Sequence, residues 1–247
     1  MQRDRVVLTG ALVAAVASSW YYLWHGAGME TMNLSTMPMP GMNWSMSYAA
    51  LMFAMWVVMM VAMMLPSAAP MILFHASLAR RRENSAKLAS SASFVLGYIA
   101  LWVGFSIVAT MLQWILDKAA VLSPLMQISN TTLAGAVLIG AGIYQWMPLK
   151  QTCLRGCRSP LDFVLTHWRD GVRGAFDMGL RHGTYCLGCC WMLMLLLFVG
   201  GLMNLFWITG IAAVVLIEKT APAGHWLGKA VGLALVAWGG ALLSHAL

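Results

Sequence analysis

The chain has 247 residues, 61% of them hydrophobic and 9% charged, with a formal net charge of +7. An ordinary soluble domain is about 25% charged, so this composition excludes a soluble enzyme, a nucleic-acid-binding module and a disordered chain. The expected fold is all-α: one integral membrane domain over 1–247, a polytopic transmembrane helical bundle of about seven spans, with its N-terminus inside and its C-terminus outside.

The first apolar segment, Val6–Trp24, follows Arg3 and Arg5. Its Ala15-Val16-Ala17 is a weak signal-peptide cleavage pattern, whereas Trp20, Tyr21, Tyr22 and Trp24 suit an interfacial belt. A retained anchor is the expectation. Residues 25–47 follow as an extracytoplasmic loop carrying Met29, Met32, Met37, Met39, Met42 and Met46, together with Pro38, Pro40 and Gly41. Such a loop has no packing reason to be rich in thioethers. Thioether sulfur is a soft ligand that selects Cu(I), so metal capture is the reading, with adaptable apolar filler as the alternative.

Tyr48–Leu78 is the second span, and the chain's 21 methionines concentrate in and before it. At 100° per residue, Met52, Met55, Met59 and Met63 fall within an arc of about 80°. They predict a thioether stripe down one helix face, a metal pathway if the loop above delivers an ion. The same span also carries Met60 and Met64, and the stripe ends at Pro66, with Pro70 beyond. Both prolines are expected to break or kink the helix and free carbonyl groups.

Ser91–Leu116 and Thr131–Met147 are the third and fourth spans, and 148–182 is a basic cytoplasmic loop. Tyr185–Gly201 and Leu205–Ile217 are both short and meet near Gly200-Gly201 and Asn204, so they read either as two full spans or as a re-entrant hairpin. Trp226–Leu247 ends the chain. With the N-terminus inside, every lysine and arginine except Lys118 falls on the cytoplasmic side, a strong positive-inside distribution. Gly135, Gly140, Gly142, Gly228, Gly232, Gly239 and Gly240 suggest closely packed helix faces.

All five cysteines lie in the second half. Cys153 and Cys157 occur as Cys-Leu-Arg-Gly-Cys in the basic loop; Cys186, Cys189 and Cys190 occur as Cys-Leu-Gly-Cys-Cys at the start of the fifth span. An odd count in a reducing compartment argues against disulfides and for metal or redox chemistry. With Leu202 as a hairpin turn, Glu218 and Cys186 each lie sixteen residues away from it and share a depth. A carboxylate there is costly unless paired or functional. It reads as a ligand or proton acceptor, or as half of an ion pair with adjacent Lys219. Among six histidines there is no HxxxH or HxH spacing, which leaves a zinc enzyme site or bis-histidine haem unsupported. His25 beside the Met loop and His182 beside the Cys cluster can each complete a site. No nucleotide-binding motif or catalytic triad is visible.

Trp56 through Met59-Met60, Ala62-Met63-Met64 and Pro66-Ser67 form the first of three motif groups. The second comprises Gly142, Tyr144-Gln145, Pro148-Leu149-Lys150, Cys153, Cys157-Arg158 and Pro160. The third runs through His182-Gly183, Cys186, Gly188-Cys189-Cys190-Trp191, Met194, Gly201, Met203-Asn204, Trp207 and Glu218-Lys219. Together they resemble the bacterial family of predicted metal-binding integral membrane proteins, a domain of unknown function. The resemblance covers most of the chain after residue 50 and implies a multi-span bundle and a metal. In ligand logic alone, outside Met and inside Cys look like the eukaryotic high-affinity copper transporters.

The leading expectation is therefore a multi-pass protein of a bacterial inner membrane that moves Cu(I) inward from the Met-rich loop to Cys ligands, another transition metal being the alternative cargo. It need not be an enzyme. Two other readings stand beside it: a metal-delivery or accessory subunit of a membrane metalloenzyme, and a Cys- or metal-centred membrane redox enzyme. The expected partners are the lipid bilayer and a metal ion, with a membrane metalloenzyme or a second copy of the chain beyond these, and no nucleic acid.

Overall fold

A computed structural model describes residues 2–26, 44–82 and 87–246, and these are helical apart from their connections. In chain order the helices are α1 (Gln2–Trp24), α2 (Met46–Arg82), α3 (Lys87–Lys118), α4 (Thr131–Tyr144), α5 (Pro148–Arg158), α6 (Pro160–His167), α7 (Gly171–Leu195), α8 (Leu197–Gly200), α9 (Leu205–Thr220) and α10 (Gly224–Ala246). Local chemistry sets several of the boundaries. Asn130 caps α4 by accepting from Leu133 N, and Asn204 caps α9 by accepting from Trp207 N. Pro148 and Pro160 open α5 and α6, where a missing N–H has no helical partner to lose.

Among the described residues, five helices are long and apolar enough to cross a membrane: Val6–Trp24, Met46–Ala79, Leu88–Lys118, Gly171–Gly200 and Gly224–Ser244. A sixth is reached if α4 and α5, bent by 62° at Gln145–Met147, count as one broken span. α9 has 16 residues, about 24 Å of helix against a hydrocarbon core of about 30 Å.

Three expectations change. The segment 148–182 is not a loop but α5, α6 and the first turns of α7. Tyr185–Gly201 is not a short span, because its helix begins at Gly171 and carries Arg173 and Arg181 within it. A hydropathy reading stops at those charges, but the helix does not. Pro66 and Pro70 do not break α2, which runs on to Arg82. Their missing N–H groups leave the carbonyls four residues earlier, at Ala62 and Pro66, without a helical donor.

α2 is the central helix, packed against α1, α3 and α9, while α3 lies along α7 and α4 along α10. Glycines allow the two closest approaches. A Cβ on Gly179 would lie 3.0 Å from Tyr98 N, and one on Gly142 would lie 2.7 Å from Gly232 O. Of the glycines singled out above, Gly135, Gly142, Gly232 and Gly239 meet across α4 and α10, whereas Gly140 and Gly240 face open space. Burial of much of α2 also widens the methionine stripe. Met60 and Met64 are as fully enclosed as Met52, Met55, Met59 and Met63.

Candidate metal centre

Cys186, Cys189 and Cys190 sit in the middle of α7, each at most 2% exposed. Spacings of three and four place them on one helical face. The thiols of Cys189 and Cys190 donate to the same carbonyl, Cys186 O, at 3.1 and 2.9 Å. α5 lies along α7 and sets Cys157 beside the Cys186 and Cys189 thiols. Cys153 is fitted against Gly188, where a Cβ would lie 2.6 Å from its sulfur. The two cysteine motifs therefore converge, although 29 residues separate Cys157 from Cys186.

Lys219 enters the same cluster. Its Nζ donates to Cys186 Sγ at 2.8 Å and to Ser67 Oγ at 3.2 Å. The Tyr98 hydroxyl lies 3.0 Å from Cys186 Sγ and donates to Met64 O. Met64 closes the group from α2, its Sδ 3.9 Å from Cys190 Sγ. His182, one turn before Cys186, is 2% exposed, with its ring between Phe94, Tyr98 and Phe163. Its Nδ1 has no hydrogen-bond partner among the described residues. A buried polar atom without a partner is costly and calls for a reason. A ligand arriving beside the thiols would supply one.

Glu218 is held differently. Both carboxylate oxygens accept from Lys150 Nζ at 2.8 Å, and Lys150 also donates to Gln145. The pair is enclosed, with side chains 1% and 3% exposed. Gly228 makes room for it, since a Cβ there would lie 3.3 Å from Glu218 Cδ. The ion pair weighed for Glu218 and Lys219 thus forms with a different lysine, one that reaches the carboxylate from α5. The hairpin arithmetic does bring residues 218–219 to the depth of Cys186, but it is Lys219 that touches the thiol.

Near the other end of α2, Met46 is exposed, and the His25 ring lies tilted against Tyr21 with centroids 4.4 Å apart. Neither contributes to the cysteine cluster. Met29, Met32, Met37, Met39 and Met42 lie outside the described residues.

The donor set suits a soft ion, because thiol, thioether and imidazole converge where no carboxylate is free. Among the described residues, no three His, Cys, Asp or Glu side chains surround a single point as they stand. Cys189 and Cys190 are turned onto Cys186 O, and Lys219 lies between Cys186 and Ser67. Sequence reasoning missed Lys150, Tyr98, Ser67 and Met64 in these roles. The available signal was Lys150 and Lys219 themselves, two lysines bordering long apolar runs, with Glu218 the carboxylate next to the apolar run of α9.

No curated protein and no solved structure matches the chain. A family model described as PpoB2, a copper chaperone, matches residues 53–242. That stretch takes in Met55 through Met64, all five cysteines, Lys150, Glu218 and Lys219, and it begins after the methionine-rich segment. The metal-binding family expected from the motifs is thus a copper-related one, and the chain belongs to the PpoB2 copper chaperone family.

Proposed function

We propose that this protein is a membrane copper chaperone of a bacterial inner membrane, which takes Cu(I) from the outside and holds it on thiolates deep within the bundle. Met29, Met32, Met37, Met39, Met42 and Met46, with His25, are the capture residues. Met52, Met55, Met59 and Met63 are the path, extended by Met60 and Met64. Cys186, Cys189 and Cys190 are the holding site, with Cys157, Cys153 and His182 beside them and Glu218 held in reserve by Lys150. The observation that carries this reading is the contact between Met64 Sδ and Cys190 Sγ at 3.9 Å. It joins a buried column of thioethers to a buried cluster of thiols, with no aqueous gap for an ion to cross. Thioethers bind softly and release, while thiolates bind more tightly, so affinity rises along the column.

The experiment is a loading measurement. Purified protein under reducing conditions should retain about one copper per chain against a competing chelator. Met59→Leu, Met63→Leu and Met64→Leu together keep the apolar volume and delete the thioethers. That variant should fill several-fold more slowly to the same final content. An unchanged filling rate would remove the path from the proposal.

Delivery to a partner, not release of free ion across the membrane, is favoured by the family's description as chaperones. A membrane metalloenzyme is the recipient this reading calls for. Uptake of radioactive copper into proteoliposomes without any partner would speak for transport instead.

The orientation follows from the lysine and arginine distribution. In a background without the native cysteines, Arg81→Cys at the end of α2 should resist membrane-impermeant thiol reagents in intact cells, and Ser45→Cys at its start should react. The reverse pattern would invert the bundle and the proposed direction with it.

A further inference from the structure

Gln113 lies on α3, 1% exposed, about 18 Å along the bundle from the cysteines if the distance is taken from Met52 to Met64 of α2. Its carboxamide is oriented by Trp56, whose Nε1 donates to Gln113 Oε1 at 2.7 Å. The NH2 group is thereby turned onto two thioethers. Nε2 donates to Met126 Sδ at 3.1 Å and to Met52 Sδ at 3.4 Å. Thioether sulfur is a weak acceptor, and a buried amide satisfied by two of them is an unusual arrangement. The geometry carries further information. A donor lies where a lone pair points, so both sulfurs present lone pairs to one position.

Met126 reaches that position at a cost. It is 8% exposed in the 119–130 connection, and its φ of 56° is in the left-handed region, where residues with a Cβ are uncommon. The connection is clamped onto the core by Ile128 N donating to Phe198 O at 2.8 Å and by the bridge between Leu122 and Ile128. Backbone strain held by its surroundings is a frequent mark of a functional position. One turn after Gln113 on the same helix, the Asp117 carboxylate accepts from Trp44 Nε1 at 2.7 Å.

We propose that Met52 and Met126 form a second Cu(I) site at the outer end of the core, with the Gln113 amide holding the two sulfurs in place until an ion displaces it. Two neutral thioethers favour a soft monovalent ion over a divalent one. The site would be weaker than the thiols and would stand at the head of the methionine column. The proposal rests on the copper reading above, but not on the identity of the inner ligands.

The test uses the full-length protein in detergent under reducing conditions, titrated with Ag(I) as a redox-inert stand-in for Cu(I), with bound ions counted by native mass spectrometry. With the loop residues Met29, Met32, Met37, Met39, Met42 and Met46 replaced by leucine in every sample, the otherwise unsubstituted protein should bind one ion tightly and a second more weakly. Met52→Leu with Met126→Gly should weaken the second at least about tenfold and leave the first unchanged. Glycine tolerates the left-handed turn, so the loop geometry survives the change. A double variant that keeps both ions at unchanged affinity overturns the outer site. The Cys186→Ser, Cys189→Ser, Cys190→Ser protein separates the two readings. It should keep the weak ion, and X-ray absorption on the same variant loaded with Cu(I) should show copper bound by thioethers alone. Loss of both ions in that variant, or a spectrum without thioether sulfur, also overturns the outer site, whichever residues hold the inner ion.

Discussion

Replacing Cys186, Cys189 and Cys190 together should reduce tightly held copper by about tenfold or more while leaving the bundle folded. The three thiols are the densest soft-donor group among the described residues, and Met64 leads directly to one of them. Serine and alanine both delete the ligand, so both triple variants should lose the metal. Their stabilities should differ. A serine hydroxyl at 189 or 190 can take over the bond to Cys186 O, a common use of serine inside a helix. Serine at 186 can still accept from Lys219, whereas alanine leaves that buried ammonium with Ser67 Oγ alone. Losing a charged hydrogen bond in this setting costs about 1–3 kcal/mol, so the alanine variant should melt lower. Metal analysis after chelator washing and thermal unfolding in detergent read the two effects separately. A triple variant with full metal content would exclude this site and leave Cys153 and Cys157 as the thiol ligands.

The largest stability effect should come from Lys150→Met. Glu218 has both oxygens on Lys150 Nζ and almost no exposure. Removing the lysine strands a carboxylate in the core, for which a cost of about 3–5 kcal/mol is typical. Changing both partners, as Lys150→Met with Glu218→Gln, should recover much of that loss. A buried ion pair exchanged for neutral groups of similar size is often close to neutral in stability. The double-mutant cycle gives the coupling energy directly. Coupling near zero would mean that the pair is dispensable to the packing of α5 on α9. Copper retention in the double variant carries a second result: if Glu218 served as a metal ligand, content would fall even though stability returned.

Helical class, helices long and apolar enough to cross a membrane, and the extents of α1, α2 and α3 to within about four residues were legible in the residues, because hydropathy and chain breaks are local properties. Helix α7 was legible only in part. Arg173, Asp177 and Arg181 interrupt the apolar run, but Asp177 lies 2.8 Å from Arg169 and 3.2 Å from Arg181 at the surface. The helix therefore continues through charges that satisfy one another. The proline effect on α2 was also overestimated, because a central helix is held by the helices packed against it, and Tyr98 of α3 donates to it at Met64 O.

What the sequence by itself determined is the inventory: soft donors grouped in methionine-rich and cysteine-rich segments, a lone buried carboxylate, and an apolar chain to carry them. The tertiary structure decided the pairings. Lys150 with Glu218, Lys219 with Cys186, Met64 with Cys190 and Cys157 beside Cys189 join residues on different helices, and nothing local to either partner selects the other. Helix rotation and depth select them, and these follow from which faces interlock: glycine against backbone for α3 with α7 and α4 with α10, and the 62° bend that swings α5 back onto α7. Each partner's helix is written in its own segment, but the angle at which it meets its neighbour is a property of the whole packed bundle.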